Sequence, residues 1–169
     1  MEQEPGDFAA FYQAAGDHCL RAVLVVVGDR HLAEDLVAEA FARAWSSWSK
    51  VAQHPAPVAW VVRTALNTRI SWWRRRRREV HTADVPERDR PDQAVTSETV
   101  PDARLMAALK ALPKRQREVV ALRVLLDLDA ETTARTLGIA TGTVGAHLSR
   151  ATRALRIHLG TATEQEPLR

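Results

Sequence analysis

The sequence predicts an all-α protein made of two small helical domains joined by a flexible linker. Three observations lead there. Apolar residues recur at three- and four-residue spacing in both halves of the chain. An acidic, proline-bearing stretch with no apolar period lies between them. All nine aromatic residues fall within the first 73 positions, so the second half must build its core from Leu, Val, Ile and Ala.

The first helix is expected over Asp7–Val27, where Phe8, Phe11, Tyr12, Ala15, Cys19, Ala22 and Val23 share a face. Gly16 costs about 1 kcal/mol there relative to Ala and marks a place for a kink. Gly28 suits the helix end and Asp29 the next N-cap. The second helix runs from about His31 to Trp48, with Leu32, Leu36, Ala40 or Phe41, Ala44 and Trp48 as its apolar stripe. Lys50–Pro57 reads as a loop, and Pro57 opens a third helix that ends in five arginines, Arg74–Arg78. These elements form a three-helix domain over residues 7–79.

Residues 80–102 read as a linker: they carry Pro86, Pro91 and Pro101 and too little apolar surface to offset ordering entropy. Four short helices are expected over 103–159, with Asp102 capping the first, Pro113 opening the second, Asp129 capping the third and Thr141 capping the last. The tail, 160–169, is expected to be disordered.

Composition excludes several classes. The longest apolar run is Ala22–Val27, too short to span a membrane. Acids at positions 2, 4 and 7 are the wrong sign for a signal peptide, and one cysteine builds neither an internal disulfide nor a multi-cysteine zinc site. A cytoplasmic location follows as an expectation. We find no phosphate loop, no nucleophile with a nearby base and no metal-ligand set, so catalysis, cofactors, metals and a small-molecule substrate are not expected.

The net charge of +3 conceals zones: −4 over residues 1–50, +6 over 51–80, −3 over 81–104 and +4 over 105–169. Two basic zones apart from one another suit two separate anionic contacts. In the first, Trp60, Trp72 and Trp73 interleave with Arg63, Asn67, Arg69 and the arginine run, a pattern for tracking phosphates and stacking unpaired bases. In the second, Ala134, Gly138 and Val144 have the spacing of a helix-turn-helix. Thr141, Thr143, Ala146, His147 and Arg150 then project outward, while Val144, Leu148 and Ala151 pack inward. A third feature is the small acidic face Asp35, Glu39, Ala42, suited to a basic helical partner.

These residues resemble a known family. Val27–Trp45 is similar to regions 2.1–2.2 of bacterial extracytoplasmic-function sigma factors, and Trp60–Asn67 with Trp72–Arg78 to regions 2.3–2.4. Ala108–Arg123 and Leu137–Arg156 resemble region 4. The run Gly28-Asp29-Arg30, then Ala33-Glu34-Asp35-Leu36, looks closest to the short actinobacterial subgroup. The resemblance implies a subunit that binds RNA polymerase core, at its clamp helices and flap, and directs it to promoter DNA. Asp35, Glu39, Ala42 and Trp45 would meet the clamp helices. The Ser49–Pro57 loop, with Ser49 and Lys50, would accept a flipped base of the −10 element. Trp60, Arg63, Asn67, Arg69, Arg74, Arg75 and Arg76 would hold the displaced strand. Arg115, Arg117, Thr141, Thr143, Ala146, His147 and Arg150 would bind the −35 element. The linker would thread through the polymerase toward the RNA path, and an anti-sigma factor would be a further partner.

The chain departs from the family where Ala38 replaces Gln, Thr132 replaces Glu, and Gly145-Ala146-His147 replaces a Lys-Ser-Arg or Lys-Ser-Gln run. Weaker or differently specified −35 binding is expected. The residues alone also admit a dimeric helix-turn-helix regulator of duplex DNA, or an adaptor for membrane surfaces or RNA built on Arg74–Arg78.

Overall fold

The computed structural model describes residues 5–80 and 103–160, with the side chains of Pro5 and of residues 72–80 outside that description. The expected linker, the Asp102 cap and the tail beyond Gly160 lie outside the described residues. Everything regular among the described residues is helical. The elements are α1 (Pro5–Val27), α2 (Arg30–Ser46), α3 (Trp48–Val51), α4 (Pro57–Val80), α5 (Ala103–Lys110), α6 (Lys114–Val120), α7 (Ala130–Leu137) and α8 (Thr141–Gly160). One π turn, Ala121–Leu125, continues α6. No helix among them is long and apolar enough to cross a membrane.

α1 passes Gly16 without a break. It ends at Gly28, whose φ of 74° is the left-handed conformation that glycine adopts at no steric cost. Asp29 caps α2 by accepting the Leu32 N–H at 2.8 Å. The buried face of α2 is Ala33, Leu36, Val37, Ala40, Phe41 and Ala44, whose alanines let α1 and α4 approach closely. α4 answers with Ala59, Val61, Val62 and Ala65, all fully buried. The expected single helix from His31 to Trp48 is interrupted. The chain turns at Ser47, and the short α3 carries Trp48 into contact with Phe8 and Phe11, at centroid distances of 5.2 and 5.1 Å.

The two halves pack on one another. From Ala22 to Val26 five consecutive residues of α1 are buried, which one flanking surface cannot achieve. α2 and α4 cover one side, and α5, α6 and the π turn cover another. The hydrophobic core therefore runs without interruption from Val23 and Val26 to Leu109, Leu112, Val120 and Leu122. Each buried Val or Leu in it is worth about 1.5–3 kcal/mol. The Lys110 side chain comes so near the backbone of Gly28 that a Cβ there would sit 3.0 Å from it. The sequence suggested two modules standing apart; the structure gives two modules with a common core. Within it Cys19 is fully buried, and burial pushes its thiol up to about 12.

Candidate nucleic-acid interface

The N-terminal half offers a helix face and a groove. Asp35, Ala38, Ala42 and Trp45 are exposed along one side of α2. Glu39 lies beside them, but its carboxylate accepts a hydrogen bond from Arg43 at 2.8 Å. Glu34 is held in the same way by Arg30. Asp35 is left as the carboxylate of this face with no ion-pair partner among the described residues, so the face is less acidic than its composition suggests.

Where α2 ends against α4, a groove of about 440 Å³ is lined by Arg43, Ser46, Ser47, Trp60, Thr64 and Asn67. Trp60, Thr64 and Asn67 share one side of α4 because they follow helical spacing. This brings together two residues expected from sequence, Trp60 and Asn67. It adds four that sequence reasoning missed: Arg43, Ser46, Ser47 and Thr64. Their signal was the pair of serines at the end of the second helix, where Ser46 Oγ donates back to the Ala42 carbonyl and the chain turns. Ser49 and Lys50 stand outside the groove, exposed on α3 rather than in a loop. The loop proper begins at Ala52, and His54 Nδ1 organises it by accepting the Ala56 N–H at 3.0 Å.

The arginines of α4 and its neighbours are only partly free for phosphates. Arg63 donates to the Arg135 carbonyl of α7 at 3.1 Å. Arg69 is half-buried. It lies near enough to Arg117 that its charge, after burial, lowers the Arg117 pKa, with Glu118 acting in the opposite direction. Arg117 donates to the Lys110 carbonyl at 3.3 Å, and its Nε is buried without a partner. Arg115 turns to the buried Glu118 at 2.8 Å. Neither Arg115 nor Arg117 is the freely presented cation that a phosphate contact would use. Arg74, Arg75 and Arg76 continue α4, and their side chains lie outside the described ones.

The helix-turn-helix spacing folds as expected. Ala134 and Val144 are buried together with Val119. Gly138 has φ 66° and its N–H reaches the Ala134 carbonyl, which also accepts from Ile139 at 3.1 Å. Asp129 caps α7 by accepting the Thr132 N–H at 2.7 Å and its hydroxyl at 3.0 Å. Position 132 thus reinforces the cap as threonine. The cap of α8 falls one residue early: the Ala140 carbonyl accepts from Thr143 and Val144, so Thr141 is the first helical residue.

Thr141, Thr143, Ala146 and Arg150 are exposed on α8. His147 is not: it is half-buried and its Nδ1 is buried without a partner. At i+3 from Val144 and i−4 from Ala151, it follows the inward stripe. What α8 presents near its N-terminus is small: threonine hydroxyls, an alanine methyl and two glycines. Such groups reach base edges and thymine methyls but supply no cation until Arg150.

On the far side of α8 an apolar groove of about 560 Å³ is lined by Val120, Val124, Leu148, Leu155 and Leu159, among others. The π turn leaves Val124 60% exposed at its edge. Sequence reasoning had no signal for this groove.

The similarities to known proteins match this layout. Residues 11–79 match the family described as Sigma-70 region 2, and residues 102–155 match Sigma-70, region 4. The chain is 36% identical over 154 residues to RNA polymerase sigma-E factor of Streptomyces coelicolor, covering 90% of this chain and 86% of that protein. It is 36% identical over 158 residues to the sigma-E factor of Streptomyces antibioticus, covering 92% and 86%. It is 34% identical over 146 residues to ECF RNA polymerase sigma factor SigL of Mycobacterium tuberculosis, covering 82% and 81%. The fold is like that of the sigma factor RpoE from Bartonella quintana, solved with the anti-sigma factor NepR. That match has a TM-score of 0.76 at 24% identity, covering 91% of this chain and 97% of that one. With both sigma regions matched in order across most of its length, the chain belongs to the sigma-70 family of RNA polymerase sigma factors.

Proposed function

We propose that the chain is a non-catalytic initiation subunit, acting in the cytoplasm, that docks on RNA polymerase core and opens promoters through two differently built DNA contacts. The carrying observation is the groove between α2 and α4, where Trp60, Thr64 and Asn67 face Arg43, Ser46 and Ser47. An indole offers a stacking surface. Asn67 and the serines offer donors and acceptors, and Arg43, whose Nε is engaged by Glu39, keeps its terminal N–H groups as donors at the rim. That set fits an unpaired base with its phosphate better than an intact duplex. We assign it to a flipped base of the −10 element, with Arg74–Arg76 holding the strand beyond.

α8 reads the −35 element as duplex. Thr143 and Ala146 face base edges, Arg150 meets a phosphate, and His147 supports the helix from inside. The exposed Asp35–Trp45 face of α2 docks on the clamp helices, and the apolar groove beside α8 receives the flap. A compact arrangement shared in fold with an anti-sigma-bound relative supports an anti-sigma factor as a further partner.

The test is strandedness. In holoenzyme, Trp60→Ala should weaken binding to single-stranded −10 oligonucleotides by about 5- to 150-fold, the range of one stacked base, and Asn67→Ala should weaken it through the lost hydrogen bonds of the amide. A premelted −10 bubble should restore opening but not oligonucleotide affinity. Unchanged oligonucleotide binding by both variants would remove the groove from the DNA path.

A further inference from the structure

We propose that the apolar groove beside α8 is covered, in the free chain, by the residues that follow α8, 161–169, with Leu168 as the anchor. What this does to polymerase binding rests on the assignment of that groove to the flap.

The groove is a gap between two packed elements. Leu148, Leu155 and Leu159 lie on one stripe of α8, and each is only half-buried. Leu148 and Leu155 pack against the core on one flank and line the groove on the other. Opposite them Val120 is buried, while Val124, carried by the π turn, is 60% exposed. The volume of about 560 Å³ lies within the roughly 300–1,000 Å³ of sites that enclose a small ligand, so one or two apolar side chains fill much of it.

Where the chain goes next specifies the occupant. Gly160 is the last residue of α8 and also lines the groove. Nine residues follow it outside the described ones: Thr161-Ala162-Thr163-Glu164-Gln165-Glu166-Pro167-Leu168-Arg169. A glycine lets the chain reverse there at no steric cost. Leu168, the segment's one large apolar residue, stands eight positions on, a reach of about 26 Å for extended chain. From Leu159 back to Leu148 the groove follows α8 for only about 16 Å. Pro167 favours extended backbone at Glu166, the form that lies flat along a groove. The charges agree. α8 carries Arg150, Arg153 and Arg156 and no acid, and Arg156 lines the groove. A second copy of this face would set arginine against arginine, whereas Glu164 and Glu166 bring the opposite sign. A short tether also holds the segment at an effective concentration of about 1 mM. A contact with a dissociation constant of about 1 mM then covers the groove in about half of the chains, and a competing partner binds more weakly by that fraction.

The experiment uses the full chain. In the double variant Val124→Cys with Leu168→Cys, mild oxidation should form an internal disulfide about tenfold faster than in Ser149→Cys with Leu168→Cys. Ser149 neighbours Leu148 but is exposed and does not line the groove, so it reports chance encounters of the tethered segment. Cys19 is buried and its thiol, raised to about 12, does not compete. Equal rates for the two pairs overturn the proposal. Linked dimers whose yield rises with chain concentration, in place of the internal link, make a second copy the occupant and overturn it as well. A second arm needs no engineered thiol: Leu168→Asp should bind purified polymerase core about 2- to 5-fold more tightly than the unaltered chain. If the internal link forms selectively and Leu168→Asp leaves core affinity unchanged, the segment covers the groove and the flap assignment is what fails. If Leu168→Asp weakens core binding, Leu168 serves polymerase rather than the groove, and the proposal is overturned.

Discussion

The guanidinium of Arg63 donates a hydrogen bond to the main-chain carbonyl of Arg135, 3.1 Å away and 72 positions along the chain. It ties the helix proposed to track the −10 strand to the first helix of the helix-turn-helix. Alone, such a bond contributes about 0.5–1.5 kcal/mol. It lies beside a common apolar core, and the two together predict how the halves behave when disconnected.

Protease should cut first within residues 81–102, where the composition offers no packed helix. The products, near 1–80 and 103–169, should still elute together in size-exclusion chromatography, because Val23 and Val26 share one buried core with Leu109, Leu112, Val120 and Leu122. Separate elution at micromolar concentration would contradict the common core.

Arg117 should be a cost to the free chain. Its Nε is buried without a partner and Arg69 repels it. Arg117→Met is expected to raise the thermal midpoint at low salt. The unaltered chain should gain more from added salt than the variant, since salt screens the Arg69–Arg117 repulsion. A lower midpoint in the variant at low salt would mean that the bond to the Lys110 carbonyl outweighs the repulsion.

Two glycines near the recognition helix should respond oppositely to alanine, although a Cβ would meet nothing within 4 Å at either. Gly138→Ala forces a side chain into the left-handed region and should destabilise by about 1–2 kcal/mol. Gly145→Ala removes a flexible residue from a helix interior and should stabilise by about 0.5–1 kcal/mol. Urea denaturation measures both, and equal signs would refute the reading of one of them.

Asp129 titrates below the ordinary carboxylate range, chiefly because its side chain accepts the Thr132 N–H and then the Thr132 hydroxyl. A depressed folded-state pKa stabilises the fold above the unfolded value of about 3.8. The contribution is lost as pH falls through the lower, folded value. Asp129→Asn, which keeps a capping oxygen but does not ionise, should therefore show a smaller fall in thermal midpoint between pH 5 and pH 2. Identical acid profiles would show that the cap does not couple to stability.

What was legible in the sequence was local. Asp29 and Asp129 cap where expected, and Gly28 and Gly138 end their helices, because these roles depend on a few neighbouring backbone atoms. The helix-turn-helix core of Ala134 and Val144 was legible for the same reason. The turn at Ser47 was not, since it exists to bring Trp48 under Phe8 and Phe11, some forty residues earlier. His147 was misjudged by one step around the helix, a position decided by what packs on α8. The common core was hidden because an apolar residue states that it will be buried and not by what. Of the candidate site, Trp60 and Asn67 were found by type and spacing. Arg43, Ser46, Ser47 and Thr64 joined them only once α2 and α4 had been placed side by side.

The π turn at Ala121–Leu125 has one more residue per turn than the helix it continues, with the Leu126 N–H reaching back to the Ala121 carbonyl. Everything that follows, α7 and the recognition helix included, inherits its bearing from that extra residue. Deleting one position there would let the ladder close as an ordinary α-helix, and the onward chain would swing by about 100° about the α6 axis. The angle at which this protein could present α8 to a promoter is therefore set, in part, by a single surplus amino acid two elements earlier in the chain.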